Sequence, residues 1–99
     1  MPMAALATTS TSSGHGCFPP QTATVGSTDV FINGSLVHRV GDSWTVHCCK
    51  NKGCHSGTLI TGSSSVFVNG ISAGRVGDLI GCGPGNIVMT GSTNVFIGG

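Results

Sequence analysis

The strongest constraint on the fold is a unit that the chain repeats three times. The sequence GSTDVFINGSLVHRVGD (residues 26–42) returns as GSSSVFVNGISAGRVGD (residues 62–78), and its first half returns as GSTNVFIGG (residues 91–99). A unit this short cannot bury a hydrophobic core alone, so such units stabilise one another by packing together. We therefore expect three units around a common axis, in preference to a β-sandwich whose copies resemble one another by accident.

Each copy has the pattern of a short β-hairpin. In the first copy the apolar triplet 30–32 is followed by Asn33-Gly34, and the second copy has Asn69-Gly70 at the same point. Asn-Gly after an apolar run is typical of a two-residue hairpin turn, because both residues tolerate positive φ. The third copy ends at Gly99. We expect its entry strand and turn to suffice for completing the ring.

The middle residue of the apolar triplet is a phenylalanine in every copy: Phe31, Phe67 and Phe96. Side chains alternate between the two faces of a strand, so each Phe points away from the face that its two neighbours share. Packing around an axis would arrange the three rings as a triangle. This triangle either fills the core between the units or faces a binding partner, where aromatic anchors often dominate the binding energy.

The composition of the chain argues against several classes of function. Only 7% of the residues are charged and the formal net charge is +1, whereas a nucleic-acid partner would require a basic stripe. No segment reaches the roughly 18 apolar residues of a membrane span. The opening stretch MPMAALATTSTSSG has no basic residue, and its apolar run is too short for a secretory signal. We expect a protein that is made in the cytoplasm without a Sec signal.

The first 13 residues have no recognisable counterpart in the repeats. We predict that residues 1–13 form an N-terminal arm and that residues 14–99 form the repeat domain. Chain termini that are not tied down are often poorly ordered and tolerate change. We therefore expect this arm to lie on the surface or stay mobile and to be dispensable for folding.

Histidines and cysteines lie mainly in the segments between the repeats. His15, His55 and Cys82 precede the three Gly-Ser pairs by 11, 7 and 9 residues. His47 follows the end of the first copy by five residues. If the repeats surround an axis, these four positions converge at one end of it. Three imidazoles and one thiolate suit tetrahedral Zn²⁺, and four protein ligands leave no open coordination position, so the predicted zinc site is structural.

The cysteine-rich stretch HCCKNKGCH (residues 47–55) leaves other ligand sets open. A metal held by Cys49, Cys54 and two further residues is the main rival, because metal ligation is the first expectation for cysteines in a cytoplasmic chain. An isolated cysteine could equally serve as a small buried apolar residue. His38 lies inside the first copy of the unit, which favours a turn or surface histidine over a ligand.

A small zinc-dependent hydrolase is the alternative function. A catalytic zinc usually keeps three protein ligands and one water, often beside a Glu that acts as the base. The chain contains no Glu, and its three acids lie within the repeats: Asp29, Asp42 and Asp78. No Ser, His and acid arrangement has the sequence context of a nucleophilic triad. We therefore expect a protein that is not an enzyme.

The return strands carry a family resemblance. After Asn-Gly and one further residue, the first copy reads LVHRVGD (residues 36–42) and the second reads SAGRVGD (residues 72–78). Both resemble the PAAR repeat, NGxPAARxGD, although neither keeps its Pro or its Ala-Ala pair. Together with the GSxxVFxNG entry, the resemblance covers residues 14–99. The chain is similar to the PAAR-repeat proteins, which form the spike tip of type VI secretion systems and contractile phage tails.

The resemblance implies a fold, a metal site and partners. The fold would be all-β, a small cone of pseudo-threefold β-hairpins with a zinc near its apex, bound by His15, His47, His55 and Cys82. The base of the cone would sit on a trimeric VgrG or gp5-like β-helical spike, whose threefold end calls for a cap with three similar faces. A tip that is monomeric by itself would sharpen the spike for membrane puncture. Effector proteins and, transiently, the target membrane are further implied partners, and the tip would be exported from the cytoplasm on firing or carried at a virion tail tip.

The arginines of the two full copies have a structural interpretation. Arg39 and Arg75 are each separated from the following Gly-Asp pair by one valine. We expect each to pair with a nearby Asp or with backbone carbonyls and so to hold adjacent loops. An Asp after Gly is also suited to accept hydrogen bonds from the backbone N–H groups of a turn.

Overall fold

Short antiparallel hairpins supply the regular secondary structure. The computed structural model describes residues 1–99 and contains three two-stranded antiparallel sheets, β1-β2, β3-β4 and β5-β6. The strands are β1 (Phe31–Ile32), β2 (Ser35–Leu36), β3 (His47–Cys49), β4 (Gly53–His55), β5 (Phe67–Val68) and β6 (Ile71–Ser72). The molecule is elongated, 39 × 23 × 22 Å, and it has no helix long and apolar enough to cross a bilayer. The predicted all-β fold of short repeated hairpins is confirmed.

The two Asn-Gly turns form as predicted. Asn33 and Gly34 have φ angles of 54° and 79°, and Asn69 and Gly70 have 56° and 77°. Two successive residues at positive φ define the tight turn whose twist matches that of the flanking strands. The pairing of Ile32 with Ser35 closes the first hairpin directly around its turn.

The third hairpin is completed by the N-terminal segment of the chain. In every unit the return segment donates a backbone N–H to the first residue of the apolar triplet at 3.0 Å: Val37 to Val30, Ala73 to Val66 and Ala4 to Val95. Its carbonyl then accepts the N–H of the entry serine at 2.8 Å: Ser27 to Val37, Ser63 to Ala73 and Ser92 to Ala4. Residues 3–7 therefore occupy the place of the return strand that the third copy lacks.

A ring of backbone hydrogen bonds marks the pseudo-threefold axis. The N–H of Ala5 donates to the Gly74 carbonyl at 2.9 Å, Gly74 donates to His38 at 2.8 Å, and His38 donates to Ala5 at 3.0 Å. Each unit contributes one residue, and the three bonds close on themselves. The arrangement of the units around a common axis is thus confirmed.

The N-terminal segment is not a surface arm, which corrects the expectation from the sequence. Residues 4–7 are buried, and Ala4 and Ala5 have no exposed surface. The position requires small side chains, which Ala4 and Ala5 supply, and otherwise uses backbone N–H and C=O groups that every residue type has. The boundary at residue 13 stays a prediction, but the segment before it belongs to the packed structure.

The entry glycines are explained by a close approach of two backbones. A Cβ on Gly26 would lie 2.5 Å from the Val37 carbonyl oxygen, and one on Gly62 would lie 2.8 Å from that of Ala73. Any side chain there would push the return segment away from the entry serine. Glycine is required because the backbones pass too closely for a Cβ.

Two small apolar clusters form the core. The first packs the segments that lead to and from the His/Cys end: Ala5, Ala23, Trp44, Leu59, Ile80 and Val88. The second lies between the hairpins: Ala4, Val37, Val68, Ala73 and Ile97. Alanines and valines make up much of both clusters, so burial of large apolar side chains is modest.

The arginines of the two full copies form the expected internal pairs. The Arg39 Nε lies 3.1 Å from the Asp42 carboxylate, and an Arg75 terminal nitrogen lies 3.1 Å from that of Asp78. Each carboxylate also accepts the backbone N–H of its own arginine. The pairs lie at the seams between neighbouring units and close the Gly-Asp turns.

Candidate metal centre

Three loops converge at one end of the molecule and bring together the four predicted residues. His47 and His55 are cross-strand partners in the β3-β4 hairpin, so their imidazoles lie on the same face. His15 is held in a tight loop by reciprocal backbone hydrogen bonds with Phe18, at 3.1 and 2.9 Å. Cys82 follows the segment that leaves the second copy. The donor atoms of His15, His47, His55 and Cys82 all lie within 4.8 Å of one another.

The distances between these donor atoms suit one tetrahedral ion. The Nε2 atoms of the three histidines lie 2.8 to 3.1 Å apart, and the Cys82 Sγ lies 3.5 Å and 3.6 Å from those of His15 and His47. Around a zinc at about 2.0 Å from nitrogen and about 2.3 Å from sulfur, tetrahedral angles separate two nitrogens by about 3.3 Å and nitrogen from sulfur by about 3.5 Å. The cluster therefore has the size of a metal site.

The position of the proton on the His47 ring also favours a bound cation among the three Nε2 atoms. Its Nδ1 lies 2.6 Å from the Pro19 carbonyl oxygen, which has no hydrogen to give, so Nδ1 carries the proton. A neutral His47 consequently turns its Nε2 lone pair towards the other two Nε2 atoms. A bound cation removes this conflict, and a backbone carbonyl on the far nitrogen is a common orienting contact for a metal-binding histidine.

The His15 imidazole is kept in the neutral form that binds metal. Burial, and then the proximity of His47 and His55, hold the pKa of His15 below its usual value. The Phe18 ring stacks on both His15 and His55, with centroids 4.8 Å and 4.2 Å apart. A Cβ on Gly83 would lie 2.4 Å from the His15 ring. The absence of a side chain at Gly83 therefore makes room for this imidazole.

Two amides that the sequence did not single out surround the Cys82 sulfur. The Asn86 Nδ2 lies 3.1 Å from Sγ and also donates to the Gln21 Oε1 at 2.8 Å. Both amides are buried. Such outer contacts to a sulfur hold it in the orientation in which it can bind a metal. No spacing pattern marks Asn86 or Gln21, so only the folded arrangement reveals them.

The other four cysteines form disulfides instead of a metal site. Cys17 is bonded to Cys49, and Cys48 is bonded to Cys54 across the β3-β4 hairpin. Cys82 is the free cysteine. The rival ligand set built on Cys49 and Cys54, and the expectation of metal ligation for these cysteines, were wrong. Cross-strand pairing brings Cys48 and Cys54 together with Cα atoms 4.0 Å apart, a proximity that the sequence spacing did not reveal.

His38 lies apart from the cluster and is fully buried, which corrects the expectation of a turn or surface position. Its Nδ1 lies 2.7 Å from the Val25 carbonyl, and its ring meets Trp44 edge to face at 5.1 Å. Its Nε2 is buried without a hydrogen-bond partner. Burial lowers the pKa of His38, although the Val25 hydrogen bond and Asp42 act in the opposite direction.

The three phenylalanines of the repeats are exposed. Phe31, Phe67 and Phe96 expose 61%, 57% and 50% of their surface. They therefore do not fill the core between the units. The third residue of each triplet takes that role in two units, since Val68 and Ile97 are buried. The hairpins thus present three equivalent aromatic rings to solvent.

Hydrogen bonds from the entry serines fix the three repeat hairpins to one another. The Asn69 Oδ1 accepts the Ser27 hydroxyl, and the Asn33 Oδ1 accepts the Ser92 hydroxyl. At the third seam the Gly98 carbonyl accepts the Ser63 hydroxyl at 2.6 Å. Each turn therefore accepts a hydrogen bond from the entry serine of a neighbouring unit. The three phenylalanines thus belong to hairpins that are linked to one another in a closed circle.

Comparison with known proteins agrees with this geometry. A family model described as the PAAR motif matches residues 20–83 and again residues 50–99, so the two matches together cover residues 20–99. No curated protein matches the chain. The matched region contains all three apolar triplets and three of the four clustered donors.

Proposed function

The chain belongs to the PAAR-motif family, and we propose that it caps a trimeric VgrG or gp5-like β-helical spike as the tip of a contractile injection machine. The family is one of structural spike-tip proteins of type VI secretion systems and contractile phage tails. The proposal for this chain is the specific one: a cap with a docking base and a metal-stiffened apex.

The observation that carries the proposal is the ring of three exposed phenylalanines. They occupy equivalent positions in three units related by a pseudo-threefold axis, and each is at least half exposed. A trimeric spike presents the same chemical group three times around its own axis. A monomer that caps it needs three matching contacts, and exposed aromatic anchors supply binding energy efficiently. Strand ends of the trimer could also pair with the cap by strand addition.

The opposite role falls to the His/Cys cluster. The segments that follow the three repeat hairpins run to this cluster and back. The cluster therefore lies at the end of the molecule away from the Asn-Gly turns. We assign it a structural Zn²⁺, held by His15, His47, His55 and Cys82. When bound, the ion supplies four bonds between three loops that otherwise lack a large core. The Asn86 amide steadies the sulfur and the Pro19 carbonyl orients His47, which favours one geometry of the apex.

The remaining features follow from the same role. The chain is proposed to be a monomer by itself and to lie in the cytoplasm until the machine fires, or at the tip of a virion tail. It would then meet the target membrane transiently, with effector proteins as further partners. The low charge of the chain supports partners other than nucleic acid.

A hydrolase is less well supported than a cap. Four protein donors converge on one point, whereas a catalytic zinc keeps a position for water. Two of the three carboxylates are already engaged by arginines, and Asp29 accepts hydrogen bonds from Asn69 and Ser27, which lower its pKa. X-ray absorption of the zinc-loaded protein tests this. Three nitrogens and one sulfur support the cap, and a bound water in place of one donor would favour the enzyme.

Docking is tested with matched surface variants. Phe31→Ser, Phe67→Ser and Phe96→Ser, singly and together, are compared with Ile60→Ser and Met89→Ser, which change exposed apolar residues outside the hairpins. We expect calorimetry with the cognate spike trimer to give one chain per trimer. Each Phe variant should weaken binding at least tenfold while the melting temperature stays near that of the wild type. Unchanged binding by the triple variant would contradict the proposal.

A further inference from the structure

One of the three seams between units lacks the arginine that fills the other two. At the first filled seam, the Arg39 guanidinium donates to the Asn69 Oδ1 at 3.2 Å and to the Gly26 carbonyl at 3.5 Å. At the second, Arg75 donates to the Gly98 carbonyl at 3.5 Å and to the Gly62 carbonyl at 3.3 Å. Both guanidiniums therefore contact the carbonyl of an entry glycine and the turn of a neighbouring hairpin.

At the third seam the equivalent residue is Leu6. Its backbone N–H donates to the Ser10 hydroxyl at 2.8 Å. In the other units the arginine N–H donates to the aspartate carboxylate, at 2.9 Å for Arg39 and 2.8 Å for Arg75. Leu6 and Ser10 thus stand where the other units have an Arg–Asp pair. The leucine side chain is buried and carries no donor.

A cavity of about 270 Å³ that is wide open to solvent lies at this seam. Its walls come from the N-terminal segment, the first hairpin turn and the third entry strand. The residues that line it are Leu6, Thr9, Asn33, Ser35, Gly91, Ser92 and Thr93. Apart from Leu6, these residues are polar or glycine, so the wall contains groups that can accept a hydrogen bond.

The acceptors that a guanidinium uses at the other seams are present here and receive no guanidinium. The Asn33 Oδ1 accepts the Ser92 hydroxyl, as the Asn69 Oδ1 accepts the Ser27 hydroxyl, but it receives no arginine. The Gly91 carbonyl accepts no hydrogen bond in the structure, whereas the carbonyls of Gly26 and Gly62 each accept one from a guanidinium. The chain itself therefore shows which group completes such a seam.

We infer that the cavity lined by Leu6, Asn33 and Gly91 is a binding site for a guanidinium group, supplied by an arginine side chain of a bound protein or by a small guanidinium compound. A planar group with several N–H donors can reach the Gly91 carbonyl and the Asn33 Oδ1 together, whereas an ammonium is a compact point charge. The site carries no carboxylate, because Ser10 replaces the aspartate. For an isolated guanidinium compound we therefore expect a dissociation constant on the order of 1 mM.

The test is an NMR titration of the full, metal-loaded chain with ethylguanidinium. We expect saturable shifts of the backbone amides of Ser92 and Thr93 and of the Asn33 side-chain amide. Ethylammonium at the same concentration and ionic strength should shift these signals at least fivefold less. Shifts that do not saturate, or equal shifts with both cations, would overturn the inference.

Two variants check that the cavity is the site. Leu6→Arg combined with Ser10→Asp rebuilds the pair of the other units and should abolish the ethylguanidinium shifts. Thr93→Arg changes an exposed wall residue, avoids the buried segment and should weaken binding at least threefold. Ethylguanidinium shifts that persist in a folded variant of either kind would contradict the assignment.

The two sources of the guanidinium are then distinguished with a blocked amino acid. Tighter binding of N-acetyl-arginine methylamide than of ethylguanidinium supports a protein side chain as the ligand. Equal or tighter binding of ethylguanidinium supports a small compound. No binding of either at 50-fold above the expected millimolar range, on the order of 50 mM, would refute the site.

Discussion

The three units are nearly alike at one end of the molecule and differ from one another at the other end. At the hairpin end the three units keep the same exposed phenylalanine and the same hydrogen bonds, even though the third unit is assembled from both ends of the chain. At the His/Cys end, equivalent backbone bonds are followed by different residues. Ser13, Thr45 and Gly81 each donate to a returning segment at 2.9 Å, and two residues later come His15, His47 and Gly83.

The difference fits the roles proposed for the two ends. A threefold spike would be met best by three identical contacts, which the hairpin end keeps. A single zinc ion would need four donors, which three identical units cannot supply. The segment that follows the second unit has no histidine at this position; it offers Cys82 one residue earlier, and Gly83 leaves room for the ring of His15.

Loss of the metal should give the largest difference in stability between changes at the His/Cys end and changes at the hairpin end. Structural zinc sites contribute on the order of 10 kcal/mol of apparent binding energy. We expect Cys82→Ser or His55→Ala to lower the melting temperature by more than about 15 °C and chelation to unfold the chain, because the core between the loops is small. Calorimetric melting with and without chelator measures this, with Phe67→Ser as the matched variant at the other end. Equal melting temperatures of the apo and metal-loaded protein would refute a structural metal.

Removal of the N-terminal segment should have the next largest effect. Deletion of residues 2–8 takes away the return strand of the third unit, together with the buried Ala4, Ala5 and Leu6. We expect a loss of more than about 4 kcal/mol of unfolding free energy, because core contacts and several backbone hydrogen bonds disappear together. Thr9→Ala, at an exposed position of the same region, is the control for chemical denaturation. Wild-type stability of the deletion variant would restore the interpretation of a dispensable arm.

The disulfides should reinforce the His/Cys end by smaller amounts. The Cys17–Cys49 bond spans 32 residues and the Cys48–Cys54 bond spans 6. Loop-closure entropy gives about 3.5 and about 2.5 kcal/mol for loops of these lengths. Replacing Cys17 and Cys49 by Ser should therefore destabilise more than replacing Cys48 and Cys54, with binding to the spike unchanged. Denaturation of both double variants in oxidised form tests the order, and a reversed order would show that local geometry outweighs loop length.

A pH effect at the axis should be the smallest of the set. His38 is buried, and its pKa in the folded state lies below the unfolded value of 6.5. The unfolded chain therefore binds the proton more readily, so unfolding free energy should fall as pH drops below about 6.5. His38→Ala should reduce the slope of stability against pH between about pH 6.5 and pH 5, whatever its cost at pH 7.5. An unchanged slope would assign the pH dependence to other groups.

The sequence predicted the parts of the fold that depend on residue type. Asn-Gly turns and alternating apolar residues specify hairpins locally, so Asn33 and Asn69 marked their turns correctly. The repeat alignment indicated the axis, and with it the convergence of His15, His47, His55 and Cys82. That these residues bind metal, and that the metal is zinc, stays a prediction.

What the sequence did not reveal depends on backbone contacts and on pairing across space. Residues 3–7 replace a return strand mainly through N–H and C=O groups that every residue has, and the small Ala4 and Ala5 were too weak a signal by themselves. The pairing of Cys48 with Cys54 follows from the register of β3 and β4, which the spacing alone left open. The exposure of Phe31 follows from which face of the triplet meets the axis, and periodicity left both faces possible.

Hydrogen–deuterium exchange of the chain, free and bound to its cognate spike trimer, tests the central claim most directly. We predict added protection at the three hairpins (residues 30–36, 66–72 and 95–98) and none at the loops that carry His15, His55 and Cys82. We also predict comparable protection of all three hairpins, since the proposed partner is threefold. Protection confined to the His/Cys end, or to one hairpin alone, would contradict a cap that docks through its symmetric base.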